Sequence, residues 1–170
     1  MNKIKYGLTF VFLLLCQILL ADGISLWGII TPMVYIMFIL VLPFHMSKSL
    51  VVLVGFAMGI SVDLFTGVLG QHAAASVLIA FLRMPMIRII STQIKFEEHL
   101  RPILWDMQFS WYFQYALYLT LIHHVVFFFL DAMSFQNFFL VFGIALLNVT
   151  ATLLLIFIFQ IIFYKASKRY

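Results

Sequence analysis

Read from its first residue, the chain alternates long apolar runs with short polar breaks. The apolar runs cover Ile4–Ala21, Trp27–Phe44, Ser49–Phe65, Gln71–Ile90, Phe109–Leu130 and Phe138–Phe163. The breaks between them are Asp22–Gly23, Pro43–Lys48, Thr66–Gly70, Ser91–Gln108 and Asp131–Asn137. Each run meets or approaches the ~20 apolar residues with which an α-helix crosses the hydrocarbon core of a bilayer. None shows the alternating segments of about ten residues that mark a membrane barrel. No internal repeat, low-complexity tract or soluble linker divides the chain. The pattern predicts an all-α integral membrane protein, a single polytopic domain over residues 1–170 with six transmembrane helices.

Composition agrees on the solvent. Hydrophobic residues make up 65% of the chain and charged residues 9%. A soluble domain carries about 25% charged residues, because its surface faces water; this chain cannot cover such a surface. The net charge of +4 does not point to nucleic acid, because the basic residues form no block or stripe that would follow a phosphate backbone. They fall instead into every second loop. Lys3 and Lys5 precede the first run, Lys48 follows the second, Lys95 and Arg101 follow the fourth, and Lys165, Lys168 and Arg169 follow the sixth. The alternate connections carry no lysine or arginine; Asp22, Asp63 and Asp131 stand in or beside them. Positive charge stays on the cytoplasmic side of a membrane, so six spans with both termini cytoplasmic satisfy every loop. Tyr6–Ala21 exceeds the usual apolar core of a signal peptide and lacks a good cleavage exit, which favours an uncleaved first span. Cys16 is the sole cysteine and supports neither an intramolecular disulfide framework nor a zinc cluster.

The longest break is expected on the cytoplasmic face. Ile94, Phe96, Leu100, Ile103, Leu104 and Trp105 could rest on the lipid surface there, with Glu97 one helical turn from Arg101. An irregular loop dipping Trp105 into the interface fits equally well. In the third run, Gly55, Gly59, Asp63 and Gly67 recur every four residues and form a stripe on one helical face. Gly55 and Gly59 form a small-xxx-small pair that allows close helix approach, either within the chain or against a partner's helix. Asp63 reads as a hydrated span end, as a cap on the Thr66–Gly70 turn, or as a partner for a group beside His72. Gly67 and Gly70 allow a tight turn between the third and fourth runs.

The segment GFAMGISVDLFTGVLGQHAAASVLIAFLR, Gly55 to Arg83, resembles the corresponding part of MreD, the rod shape-determining membrane protein of bacteria. That family shows a glycine-spaced third span ending in an aspartate, a glycine-containing turn, and a fourth span of small residues. Length, six spans and cytoplasmic ends extend the similarity over the whole chain. The resemblance implies a non-enzymatic subunit of the cell-elongation machinery in the bacterial inner membrane. Its partners there would be MreC most directly, then the RodA glycan polymerase, a penicillin-binding transpeptidase and the MreB filament. It also implies a fold similar to the substrate-binding subunits of energy-coupling-factor vitamin transporters. Carried over by residue, it assigns shaping and docking roles to Gly55, Gly59, Asp63, Gly67, Gly70 and His72.

The remaining polar residues suggest no reaction chemistry. His123 and His124 are adjacent, so on a straight helix they point about 100° apart and cannot share one metal ion. His45 and His72 fall in different loops, and no metal or other cofactor is expected. Arg83 lies inside the fourth span, followed by Pro85, which kinks a helix. It either reaches to the inner headgroups or makes an intramembrane pairing or ligand contact. Asn148, Thr150, Thr152 and Gln160 are candidates for interhelical hydrogen bonds. No phosphate-binding loop, nucleophile elbow or metalloprotease motif is present, which argues against an enzyme. The alternative to a scaffold is a small-molecule binding subunit of a transporter. It would need a cavity in the outer half of the membrane, near Asp63, His72 and aromatic residues.

Overall fold

The computed structural model describes residues 3–23, 30–68, 70–91 and 101–164. They contain six helices and no strand: α1 (Lys3–Gly23), α2 (Ile36–Leu40), α3 (Lys48–Thr66), α4 (Gln71–Ile90), α5 (Phe109–Ala132) and α6 (Phe138–Phe163). Helices α3 to α6 are each long and apolar enough to cross a membrane, and α1 has a shorter apolar stretch, Ile4–Leu20. The chain therefore has the all-helical character of a membrane protein.

The long helices run alternately up and down. α3 packs on α4, α4 on α5 and α5 on α6, while α1 lies against α3. Phe12 of α1 meets Phe159 and Phe163 near the end of α6, which closes the ring. One end of the bundle, the Asp63 end, carries the α3–α4 turn and the α5–α6 connection. The opposite end carries the start of α1 and the end of α6.

The second apolar run departs from the expected regular span. Within its described part only Ile36–Leu40 is α-helical, and this part fills the centre of the ring. Every residue from Met33 to Leu42 exposes 2% or less of its surface, whereas a helix facing lipid leaves one side open. Pro32 has no N–H to donate, and it disfavours helical geometry at Thr31 before it. The chain thus enters as irregular backbone and tightens into α2 through short-range bonds. Ile36 N–H donates to Met33 O, Met37 N–H to Val34 O and Phe38 N–H to Tyr35 O.

Irregular backbone at membrane depth is tolerated only where protein surrounds it and satisfies its polar groups. Here neighbouring helices supply the partners. Thr31 N–H donates to Asn148 Oδ1 at 2.7 Å and Met33 N–H to Thr152 Oγ1 at 2.9 Å, both on α6. Gln17 of α1 accepts Tyr35 N–H at 3.4 Å and donates to Pro32 O at 3.2 Å. His124 Nδ1 faces Thr120 O at 2.9 Å, and a carbonyl only accepts, so Nδ1 carries the proton. In the neutral ring Nε2 then accepts the Thr152 hydroxyl at 3.0 Å, which leaves Thr152 free to receive Met33.

Helices α3 and α4 approach closely at the glycine stripe. A Cβ built on Gly59 would lie 2.5 Å from Ala73 Cα and 2.6 Å from His72 O; one on Gly55 would lie 3.0 Å from Ala80 Cβ. α4 continues as helix through Pro85. In the break before α5, Arg101 donates through Nε to Asp106 Oδ2 at 3.1 Å. Ile103 is fully buried. Trp105 donates from Nε1 to Gln160 O, so this stretch docks on the end of α6. The expected Glu97–Arg101 pair, with Ile94, Phe96 and Leu100, lies outside the described residues, as do Trp27, Lys95, Lys165, Lys168 and Arg169.

Candidate functional site

The sequence brings two polar assemblies into the bundle, one towards each end. At the Asp63 end, Gly67 terminates α3 with φ +71° and Gly70 precedes α4 with φ +77°. Both lie in the left-handed region, where a Cβ costs about 1–2 kcal/mol. This turn swings the start of α4 back onto the side chain of Asp63. Asp63 Oδ1 accepts His72 N–H at 3.0 Å and His72 Nδ1–H at 2.9 Å, and Oδ2 accepts Ala73 N–H at 2.9 Å. A carboxylate from α3 therefore caps α4, where unpaired amides and the positive end of the helix dipole favour an anion. A charged side chain costs up to about 2.5–3.5 kcal/mol at a span centre on insertion scales. Hydrogen bonds to charged groups each return about 1.5–3 kcal/mol, so three of them offset that cost. Asp63 is 2% exposed and His72 5%; neither is a hydrated end.

Gly55 and Gly59 take their positions between α3 and α4, and their face is occupied by the chain's own helix. With Asp63, Gly67, Gly70 and His72 they form one local construction, the α3–turn–α4 hairpin. Its side chains lead inward. The His72 ring lies 5.7 Å from that of Tyr35, centre to centre, and Tyr35 Oη lies 2.7 Å from His123 Nε2. His123 and His124 thus serve different partners, and among the described residues no group of three or more His, Cys, Asp or Glu could hold a metal ion.

The second assembly surrounds Arg83, which is fully buried on α4. It does not extend to the bundle's surface. Its Nε donates to Tyr115 Oη at 2.9 Å, and its Nη2 donates to Leu42 O. Tyr115 in turn donates to Leu40 O at 3.1 Å. Tyrosine thus binds the carbonyl of Leu40, the last residue of α2, and arginine that of Leu42 just beyond it. Nη1 is buried without a hydrogen-bond partner among the described residues.

A cavity of about 570 Å³ lies at the Asp63 end, between the end of α3, the start of α4 and the junction of α5 and α6. Its polar lining is Gln17, Thr31, Thr66, His72 and Asp131. Such a volume is typical of small-molecule pockets. Asp131 stands exposed near the end of α5 and shares the cavity lining with His72. Sequence reasoning singles out His72 but treats Asp131 only as a loop charge. It does not identify Gln17 and Tyr115 as functional, because their partners are backbone atoms of a segment expected to be an ordinary helix. Pro32, set inside an apolar run and followed by Pro43, is the one available signal.

No protein-family model, curated protein or solved structure matches the chain.

Proposed function

We propose that this chain is a non-enzymatic membrane subunit of the MreD kind. It would serve the bacterial cell-elongation complex as a scaffold, with MreC as its direct partner. A RodA-type polymerase, a penicillin-binding transpeptidase and MreB would be further members. In this reading the chain passes six times through the inner membrane, with the central 30–42 segment as one passage and both termini cytoplasmic. A fold similar to the substrate-binding subunits of vitamin transporters belongs to the same proposal.

The supporting observation is where the buried polar groups go. Gln17, Asn148, Thr152, Tyr115 and Arg83 all bond to main chain or to one another around residues 31–42, and Asp63 is spent on capping α4. The conspicuous residues of the Gly55–Arg83 segment thus build the chain itself. What remains for partners is apolar helix surface, such as Leu8, Leu15 and Leu19 on α1 and Leu147, Leu154 and Ile161 on α6. The test is purification of the tagged chain from crosslinked cells. An MreC-type membrane protein should accompany it in near-stoichiometric amount; recovery without any cell-elongation protein would overturn the scaffold.

The cavity favours a second reading, a small-molecule binding subunit. Lipid-inserted bundles that only pack need no pocket of about 570 Å³ at one end, with a histidine in its wall. Here the observation is the cavity alone, and a bound small molecule found by mass spectrometry after detergent purification would support it.

A further inference from the structure

The chemistry of that cavity is one-sided. Among the described residues its lining holds no lysine or arginine. Nδ1 of His72 donates to Asp63, so the neutral ring presents its Nε2 lone pair, and that nitrogen has no hydrogen-bond partner among the described residues. His72 is 5% exposed, and its ring forms part of the cavity wall. The Thr66 hydroxyl donates its hydrogen bond to Val62 O, and its oxygen is left as an acceptor. Gln17 spends its carbonyl oxygen and one N–H on the 30–42 segment; its second N–H and the Thr31 hydroxyl are the neutral donors left in the lining. Asp131 adds a carboxylate at the mouth. Phe65, Phe127 and Phe128 complete the wall, with the Phe127 ring 4.4 Å from that of His72.

We propose that this cavity binds a small organic ammonium ion with an aromatic or apolar body. The inference rests on the small-molecule reading above and names its ligand class. A carboxylate and two free acceptors with no lysine or arginine beside them favour an N–H-bearing cation, and aromatic faces attract cations as well. Asp131 neutralises the charge, His72 Nε2 and Thr66 Oγ1 accept hydrogen bonds from its N–H groups, and the phenylalanines enclose the apolar body. An anion would meet Asp131 with no compensating base. A neutral alcohol would keep the apolar contacts and lose the charge pairing.

The test uses the full chain in lipid nanodiscs and three probes of one shape: 2-phenylethylammonium, 2-phenylethanol and 3-phenylpropionate, titrated calorimetrically at neutral pH. The ammonium should bind saturably, at least about tenfold tighter than the alcohol, a ratio equivalent to about one charge-assisted contact. The carboxylate should not bind. Asp131→Asn, at an exposed site that does not hold the fold, should weaken the ammonium by a similar factor and leave the alcohol unchanged. Ile144→Trp, which fills the cavity from α6, should abolish binding of both. If the alcohol binds as tightly as the ammonium, the cavity remains a ligand site and the cationic class is overturned. Binding of the carboxylate in place of the ammonium overturns the class in the same way. If none of the three binds, the small-molecule reading falls with it. Ammonium binding that survives Ile144→Trp, or that ignores Asp131→Asn, places the ion elsewhere and also overturns the proposal.

Discussion

Glycine at a helical position costs about 1 kcal/mol relative to alanine, so replacing it should help unless the methyl group has nowhere to go. The helices contain three different cases. A methyl group on Gly143, inside α6, would meet nothing within 4 Å, one on Gly55 would meet Ala80 Cβ at 3.0 Å, and one on Gly59 would meet the backbone of Ala73 at 2.5 Å. We expect Gly143→Ala to raise the midpoint of thermal unfolding in detergent, by the equivalent of about 0.5–1 kcal/mol. Gly55→Ala should fall between the two, because the new methyl would meet Ala80 Cβ at 3.0 Å and Ser76 O at 3.3 Å, contacts relieved by a shift of a few tenths of an ångström between the helices. Gly59→Ala should lose about 1–3 kcal/mol, the usual cost of overpacking against atoms that cannot move. Equal midpoints for all three would remove close backbone approach as the reason for the stripe. The spacing of these glycines and the turn beyond them could be read from the sequence, since both are local. Whether the stripe faced its own chain or another could not, because that depends on where α4 folds back. Arg83 was harder still. Its partners, Leu42 and Tyr115, lie far away in the chain, and nothing near position 83 announces them. Tyr115→Phe leaves the Arg83 Nε without its acceptor and Leu40 O without its donor. Burying unpaired polar groups costs about 1–3 kcal/mol, more for a charged one. We expect Tyr115→Phe to lower the midpoint by at least that equivalent, while Tyr118→Phe, at an exposed position on the same helix, should leave it unchanged.

The 30–42 segment shows what hydropathy cannot distinguish. An apolar run is equally compatible with lipid and with a protein interior, so Trp27–Phe44 reads as a span when its described part is the core around which the other helices close. The polar residues that give it away sit on other helices, and each looks ordinary in place. Asn148 and Thr152 lie one turn apart on α6 and meet Thr31 and Met33, two residues apart on irregular backbone. This register match, a turn of helix against two extended residues, fixes the depth of the segment. Thr152→Val keeps the volume and removes the acceptor for Met33 N–H together with the donor to His124. An unpaired buried amide costs about 1–3 kcal/mol, and we expect that loss in the unfolding midpoint. Thr150→Val is the control, since its exposed hydroxyl bonds only to Leu146 O within α6. Hydrogen exchange provides a second readout, because amide protection at Met33 should fall in Thr152→Val and not in Thr150→Val. Equal behaviour of the two variants would mean that packing alone holds the segment.

Over the whole molecule, the distribution of charge survives the loss of one regular span. Apart from Arg83, buried within α4, the described basic groups Lys5, Lys48, Arg88 and Arg101 lie towards one end of the bundle, where Asp106 pairs with Arg101, and Asp63 and Asp131 belong to the other. The reason is that residues 31–42, although mostly not helical, still carry the chain along the bundle: Thr31 sits beside Asn148 of α6, and Leu42 lies against Arg83 of α4. Crossing parity depends on this displacement and not on helical geometry, which is why a run misread as a helix still placed α3 the right way up relative to α1. If the positive end faces the cytoplasm, as the loop charges require, reporters inserted at residues 25, 68 and 134 should emerge outside. Reporters at 47 and 107 should remain cytoplasmic. The informative pair is 25 and 47, which flank the central segment. Opposite sides for these two positions are expected from a segment that traverses the membrane inside a protein sheath. The same side for both would mean that it dips in and returns, and the orientation of α3 to α6 would then have to be reversed against their own charges.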